Sequence, residues 1–274
     1  MENDTNLIKN HIPKKIHYVW MGNGEKSADI LKCINSWKKF MPDYEIVEWN
    51  ETNFDVNAID FTREAYAAKK WAFVSDAVRV YALKEFGGVY FDTDVELFAE
   101  PKDLFCDANA VFGFDNKFLL STGVLASVPH HPVFEDLWSK YETSRFAGSD
   151  VESTINTKLT FIVLDYVGKR RVVNGLHKIK DVKILPKKYF SGNEDILKDK
   201  PIFAVHHFTG SWKDKTQLTF FQFLGFAIKC RLLRVASLFT GNKRYIELND
   251  AIWRNALDKT AKNIKKHAKI YKVL

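Results

Sequence analysis

A chain of 274 residues with 46% hydrophobic and 14% aromatic side chains is too apolar for a disordered polypeptide, and it has room for one α/β domain and an appendage. The net charge of +7 is unevenly spread: residues 213–274 hold 14 Lys/Arg against 4 Asp/Glu, whereas residues 1–212 hold 27 against 30. The longest apolar-rich run without charge, 216–228, has 13 residues, too few to span a bilayer. We therefore expect a globular domain over 1–212 and a basic tail over 213–274.

The cysteines and the N-terminus indicate a reducing compartment. Cys33, Cys106 and Cys230 are scattered, odd in number and without metal-ligand spacing, so we expect buried thiols. The first ten residues are polar and lack the apolar stretch of a signal peptide. Together these features predict a cytoplasmic protein.

The first half of the chain alternates strands and helices. A strand is predicted over 16–22, a helix from its cap Ser27 to residue 40, a strand over 44–49, and helices over 60–69 and 71–86. A further strand starts at residue 89. This order is typical of a nucleotide-binding α/β layer, in which ligands lie at the carboxyl ends of strands. Trp20 and the pair Asp92 and Asp94 fall at such ends.

Residues 75–94, SDAVRVYALKEFGGVYFDTD, form the stretch around which the chain is organised. Asp76 and Arg79 are three apart and share a helix face, where a plain salt bridge is the alternative to a ligand site. Gly87 ends the helix, because glycine adopts the left-handed conformation without a Cβ clash. Asp92 and Asp94 then point to one side if the chain is extended, which suits a divalent cation with open positions for phosphate. A solvated turn is the alternative for an isolated D-x-D.

The second half continues the α/β pattern. Short strands are predicted over 111–114 and 123–127, a helix from Pro132, a helix over 150–168, and strands over 182–185 and 203–207. His206 and His207 end the last strand, where a histidine pair is more often packed than ligated. His130 and His131 are interpreted as structural.

The block SDAVRVYALKEFGGVYFDTDVEL resembles the D-x-D region of the sugar-binding D-x-D glycosyltransferases, the family 32 type related to the catalytic domains of large clostridial glucosylating toxins. IPKKIHYVWMG, FLLSTGVLASVPHHP and HHFTGSW are similar to other parts of that family. The resemblance implies a GT-A fold, that is, a Rossmann-like mixed sheet flanked by helices, here with a C-terminal helical appendage.

The resemblance also implies roles for individual residues. Asp92, Asp94 and Arg79 would be catalytic, and the metal would be bound by Asp94, Asp92, His206 (with His207 as the fallback) and Ser211. The donor nucleotide would contact Val19, Trp20, Asp76, Arg79, Asp92 and Trp212. Ser121, Thr122 and Gly123 would line the donor-sugar pocket, although Thr122 stands where the family usually has Asn. A histidine ligand favours Mn²⁺, with Mg²⁺ as the alternative.

The implied activity is retaining transfer of a hexose from a UDP-sugar to a glycan or lipid-linked oligosaccharide in surface polysaccharide assembly, such as that of a capsule or O-antigen. Alternatives within the family are a GDP-mannose-dependent mannosyltransferase and a toxin-like enzyme that glucosylates protein. Outside it, the same D-x-D would serve a phosphohydrolase or nucleotidyltransferase. Nucleic-acid binding is disfavoured, because the positive charge sits in one tail and no recognition motif is present.

The spacing of apolar and basic residues in the tail predicts an amphipathic helix with one basic side. Its apolar positions are Trp253, Leu257, Ala261, Ile264, Ala268 and Tyr271, and its basic positions are Lys259, Lys262, Lys265, Lys266 and Lys269. The helix either packs on the domain with its lysines in water or attaches the enzyme to the anionic inner face of a membrane.

Overall fold

The computed structural model describes residues 11–146, 155–190 and 203–207. Nine strands and five α-helices lie in these ranges. The strands are β1 (Lys15–Val19), β2 (Glu45–Trp49), β3 (Gly88–Phe91), β4 (Val95–Leu97), β5 (Ala110–Phe114), β6 (Leu120–Ser127), β7 (His177–Ile179), β8 (Val182–Leu185) and β9 (Ala204–His206). The helices are α1 (Ala28–Phe40), α2 (Asp60–Ala67), α3 (Trp71–Phe86), α4 (Pro132–Glu142) and α5 (Ile155–Tyr166).

Within the described residues, seven strands form one mixed sheet in the order β2-β1-β3-β6-β5-β8-β7. β1 runs parallel to both β2 and β3, so the carboxyl ends of these three strands meet at one edge. β6 is antiparallel to β3 and to β5. A second sheet pairs β4 with β9 in antiparallel fashion and brings residues 203–207 beside the chain that follows β3. The expected α/β fold with a mixed sheet flanked by helices is confirmed.

Alternation along the strands divides the core between two faces of the sheet. Ile16 and Tyr18 of β1 pack with Phe91 of β3 and Trp37 of α1 in one buried cluster. The intervening residues, among them His17, face the other side, where α3 covers the sheet. Trp37 is fully buried and its indole nitrogen donates to the Val95 carbonyl at 2.7 Å, so α1 also fixes the segment after the D-x-D.

Local sequence accounts for the helix ends. The Ser27 hydroxyl accepts from the Ile30 amide and caps α1 as predicted. Gly87 ends α3 with φ of +60°, and a Cβ at this position would lie 2.6 Å from Pro129 Cδ. The chain therefore needs glycine here both for its conformation and for its packing.

Some expectations from the sequence are wrong. The apolar residues Ile30, Leu31, Ile34 and Trp37 predict one buried stripe on α1, but Leu31 is 46% exposed, and Cys33, Ile34 and Trp37 are the buried residues of the helix. Cys106, expected to be a buried thiol, is exposed, whereas Cys33 is buried as expected. The tail and Cys230 lie outside the described residues, so the predicted tail helix stays a prediction. In the part of the chain that the structure describes, no helix is long and apolar enough to cross a membrane.

Candidate active site

Asp92 and Asp94 follow β3 in a turn rather than in extended chain. The Val95 amide donates to the Asp92 carbonyl at 3.0 Å and closes this turn, and the Asp92 amide donates to the Gly123 carbonyl at 2.9 Å. The predicted extended conformation of this segment is therefore wrong. The carboxylates nevertheless converge, because the turn folds them toward β9.

The convergence point is His206, the last residue of β9. One potential ligand atom of Asp92, one of Asp94 and one of His206 lie within 4.8 Å of one another. The imidazole Nε2 is 3.0 Å from Asp94 Oδ1 and 3.8 Å from Asp92 Oδ2. Two carboxylates and an imidazole form a donor set that suits a divalent transition-metal ion such as Mn²⁺.

The two aspartates also act on the protonation of His206. Burial of the ring favours the neutral imidazole, but the hydrogen bond with Asp94 and the negative charges of Asp92, Asp94 and Asp115 outweigh it and raise the histidine pKa. The same negative charges would attract a cation to this point.

Gly123 on β6 provides the space for this arrangement. A Cβ at this position would lie 2.7 Å from His206 Cε1 and 3.0 Å from Asp92 Oδ2. Contacts this short do not occur between real side chains, so the sequence needs glycine beside the two groups.

Arg79 of α3 lies behind the aspartates and is 6% exposed at its side chain. Its Nη1 donates to the Thr122 carbonyl at 2.9 Å and lies 3.0 Å from Asp92 Oδ1. Its Nη2 lies 2.9 Å from Asp76 Oδ1, and its Nε donates to the Ser75 carbonyl. Each guanidinium nitrogen therefore has a protein partner, and the arginine links α3, β6 and the D-x-D turn.

Tyr90 completes the support of Asp92. Its hydroxyl donates to Asp92 Oδ1 at 2.9 Å and lies 3.1 Å from the Ser75 hydroxyl, and Arg79 lies over its ring. Burial raises the pKa of Asp76 to about 6, although Arg79 opposes the shift and the charge of Asp92 adds to it. Tyr90 was not singled out from the sequence. Its position two residues before Asp92, on the strand face toward α3, is the signal that points to it.

His207 occupies a different environment from His206. Its Nε2 lies 3.0 Å from Glu96 Oε2, and Lys32 lies 2.9 Å from the other oxygen of Glu96. Its amide donates to the Asp94 carbonyl at 3.0 Å. The structure thus places His206, and not the fallback His207, beside the D-x-D.

Val19 and Trp20 lie at the carboxyl end of β1, on the same edge of the sheet as Asp92. Val19 is buried, and Trp20 is half-buried with its amide donating to the Trp49 carbonyl of β2. The indole nitrogen of Trp20 donates to the Gly24 carbonyl at 2.6 Å, and Lys26 lies over the ring at 5.5 Å. The ring is thereby held in a fixed orientation with part of its surface open.

The residues expected to line a donor-sugar pocket follow one another on β6. Ser121 and Thr122 are buried, and the Ser121 hydroxyl accepts from the Gly123 amide. The Thr122 hydroxyl donates to Asn156 of α5 at 3.3 Å, and the amide nitrogen of Asn156 donates to the Leu120 carbonyl. Asn156 was missed, because residues 150–168 carried no recognised motif. Its side-chain amide lies beside Thr122, the position at which the family usually has asparagine.

Ser211 and Trp212 lie outside the described residues. Their proposed contacts with the metal and the diphosphate stay predictions. The described part of the predicted site therefore consists of the residues from β1, α3, the D-x-D turn, β6 and β9.

Residues 27–110 match the family profile described as a glycosyltransferase sugar-binding region containing a DXD motif. This match includes Asp76, Arg79, Asp92 and Asp94 and ends before β6 and β9. The family resemblance read from the D-x-D block is thereby confirmed. None of the curated proteins compared with the chain matches it.

Three solved structures illustrate the similarity at the level of the backbone. The PaToxG glycosyltransferase is 17% identical with a TM-score of 0.43, covering 57% of this chain and 70% of its own. A glycosyltransferase involved in glycosylation of the major capsid of PBCV-1 is 11% identical with a TM-score of 0.42, covering 71% and 94%. The galactosyltransferase LgtC is 12% identical with a TM-score of 0.35, covering 70% and 86%. Likeness at this level supports no conclusion about activity.

Proposed function

We propose that the protein transfers a hexose from a UDP-sugar to a glycan acceptor, on the premise that residues 27–110 match the D-x-D sugar-binding region of glycosyltransferases. The observation that carries the proposal is the convergence of Asp92, Asp94 and His206 at the sheet edge that also holds Trp20. We propose retention of the anomeric configuration and a role in surface polysaccharide assembly, as the family resemblance implies.

The donor set fits a divalent cation, and we propose Mn²⁺. Asp94, Asp92 and His206 would hold it, with Ser211 as a further ligand. When bound, the ion supplies Lewis-acid neutralisation of the charge that develops on the leaving nucleoside diphosphate. The carboxylates of the chain would keep that ion at the end of β3, and the buried Arg79, whose Nη1 lies 3.0 Å from Asp92 Oδ1, orients the Asp92 carboxylate.

We assign Arg79 a positioning role rather than direct contact with the donor. Its three nitrogens are engaged by Ser75, Asp76, Asp92 and the Thr122 carbonyl, so contact with a diphosphate would require one of these bonds to break. Trp20 is the proposed stacking surface for the base. Asp76, at the N-terminal half of α3, is the proposed partner of the ribose.

The test compares His206→Gln with the neighbouring His207→Gln as a matched control. Nucleotide release from UDP-glucose, UDP-galactose and GDP-mannose is measured with Mn²⁺ and in excess EDTA. We expect His206→Gln and Asp94→Asn to lose about 10²-fold or more in turnover, as for groups that stabilise transition-state charge, and His207→Gln to retain most activity. Full turnover in EDTA, or release of inorganic phosphate without sugar transfer, would overturn the proposal.

For the acceptor we propose a lipid-linked glycan at the inner face of the membrane, with the basic tail as a peripheral attachment. Five lysines recur on one side of the predicted tail helix, and each near an anionic surface contributes about 1 kcal/mol. Sedimentation with anionic liposomes at low and high salt, comparing the full chain with one ending near Lys243, tests this attachment. Equal and salt-insensitive partitioning of both forms would leave the tail as a structural cap.

A further inference from the structure

Positive charge is concentrated in one short segment of the described domain, residues 169–188. This segment holds eight Lys/Arg and one acidic residue, Asp181, although residues 1–212 as a whole hold more acidic than basic residues. Lys183 is buried and donates to the carbonyls of Asp103, Leu104 and Cys106, so it serves the fold. Arg170, Arg171, Lys178 and Lys188 are exposed.

The segment is attached to the tip of the β5–β6 hairpin. The Asn174 amide donates to the Lys117 carbonyl at 3.0 Å. The hairpin tip is itself fixed, because the side chain of Asn116 accepts from the amides of Phe118 and Leu119 at 2.9 and 3.0 Å. The cations of both segments therefore lie on an ordered surface.

Two cations lie near one aromatic ring at this tip. Lys117 Nζ is 5.3 Å and Arg171 Cζ is 5.8 Å from the centroid of the half-buried Phe118 ring. Among the described residues, neither cation has a carboxylate partner. Leu176, 58% exposed, adds apolar surface on the same segment. We call Lys117, Phe118, Arg170, Arg171 and Leu176 the hairpin-tip patch.

The hairpin-tip patch is connected to the candidate active site by β6. Phe118 lies in the hairpin turn two residues before β6, and Gly123 is the fourth residue of β6. Asp115, where the hairpin turn begins, is near enough for its charge to act on His206. A molecule of several sugar units bound at the patch would thus extend along β6 toward the donor.

We propose that the hairpin-tip patch is an acceptor subsite that binds an oligosaccharide carrying negative charges. The proposal rests on the glycosyltransferase function proposed above. Lys117 and Arg171, which have no carboxylate partner among the described residues, complement acidic groups of the glycan, and the half-buried Phe118 ring adds apolar surface beside them. A membrane surface would equally attract cations, but it would not require them to lie beside an aromatic ring in the turn that leads into β6.

The test uses trigalacturonate as the charged probe and maltotriose as its neutral counterpart. Binding to the full-length protein is measured by calorimetry for three forms: wild type, Lys117→Glu/Arg171→Glu, and the control Lys38→Glu/Lys39→Glu. The control reverses two exposed charges on α1, where Lys39 also lies over a phenylalanine ring, that of Phe40. The net charge change is therefore matched.

We expect the wild type to bind trigalacturonate in a salt-sensitive manner and to bind maltotriose much more weakly. The patch variant should bind the charged probe about tenfold more weakly, and the α1 variant should match the wild type. Phe118→Ala, which changes no charge, should also weaken binding.

Three results would overturn the proposal. The first is no saturable binding of trigalacturonate, and the second is equal weakening by both charge reversals. The third is a patch variant that binds trigalacturonate as the wild type does but binds vesicles of phosphatidylcholine and phosphatidylglycerol more weakly. The thermal shift with UDP and Mn²⁺, measured on the same samples, reports the donor site separately. If UDP and Mn²⁺ produce no thermal shift in the wild type, that result counts against the proposed function and not against the hairpin-tip patch.

Discussion

The α-carbon of Gly123 lies so close to His206 that a methyl group on it would be 2.7 Å from the imidazole Cε1. Strand β6 and strand β9 belong to different sheets, and this contact is where they meet beside the D-x-D turn. The space for the candidate metal site therefore depends on the absence of one side chain.

Gly123→Ala should weaken Mn²⁺ binding about 10–100-fold, the usual cost of disturbing groups that orient metal ligands. The added methyl group displaces His206 and Asp92 from their present positions. Calorimetric titration of the metal measures the effect. Gly24→Ala is the control, because nothing lies within 4 Å of a Cβ at that position. Unchanged affinity in Gly123→Ala would show that His206 moves without cost or does not bind the ion.

Arg79→Lys should reduce the free energy of unfolding by about 3–5 kcal/mol, because it breaks a buried ion-pair network without removing its carboxylates. A lysine cannot reach Asp76, Asp92 and the Thr122 carbonyl together. Urea unfolding measures the change. The control is Arg145→Lys at an arginine that is 68% exposed and pairs with Asp60 and Glu64, for which less than about 1 kcal/mol is expected. Similar losses in both variants would argue against the positioning role of Arg79.

His17 should make the protein less stable as the pH falls below about 6.5. The ring is 1% exposed, its Nε2 donates to the Gly87 carbonyl, and its Nδ1 accepts from the Trp49 indole. Burial lowers its pKa to about 4, although the bond to Gly87 opposes the shift and the charge of Lys15 adds to it. Between these two pH values the unfolded chain binds more protons than the folded one, so folding loses about 3 kcal/mol as the pH falls through this window.

The measurement compares urea unfolding at neutral pH and near pH 4.5 in the wild type and in His17→Gln. Glutamine can make both hydrogen bonds but does not titrate. The loss of stability on acidification should be smaller in the variant by about 2–3 kcal/mol. An identical loss in both proteins would contradict the assignment to His17.

Trp20→Ala should weaken UDP binding by about 1–3 kcal/mol, the range for a lost stack between a base and an aromatic ring. Trp20→Phe keeps a flat ring and should restore most of the affinity. Fluorescence or calorimetric titration with UDP and Mn²⁺ provides the values, and unfolding curves verify the fold. If the alanine variant binds UDP as the wild type does while folding normally, Trp20 serves the core alone.

Short-range patterns predicted much of the fold. Ser27 marks the start of α1 and Gly87 the end of α3, because capping and left-handed backbone depend on single residues. The parallel strands β1, β2 and β3 follow from the alternation of strands and helices. Each of these features depends on residues that are close together in the sequence, so a short pattern is enough to predict it.

Long-range pairing explains what the sequence could not reveal. The insertion of β6 between β3 and β5 places Gly123 at the site, yet no local pattern specifies which strand pairs with which. The register of β9 on β4 pairs His206 with Val95, next to the D-x-D, and no local pattern specifies this register. The hydrogen bonds and ion pairs of the Arg79 guanidinium depend on partners from α3, the D-x-D turn and β6, which are far apart in the sequence. The basic segment 169–188 does not appear in the charge balance of the domain, because residues 1–212 as a whole hold 27 basic and 30 acidic side chains.

The pairing of β9 with β4 has a consequence for the order in which the site is completed during synthesis. His207 and its partner Glu96 are 111 residues apart in the sequence. A ribosome that has released β1 to β8 has delivered Trp20, Arg79 and both aspartates, but not the imidazole. A nascent chain thus has Trp20, the proposed base platform, early, whereas the group of Asp92, Asp94 and His206 forms only once β9 has emerged and paired.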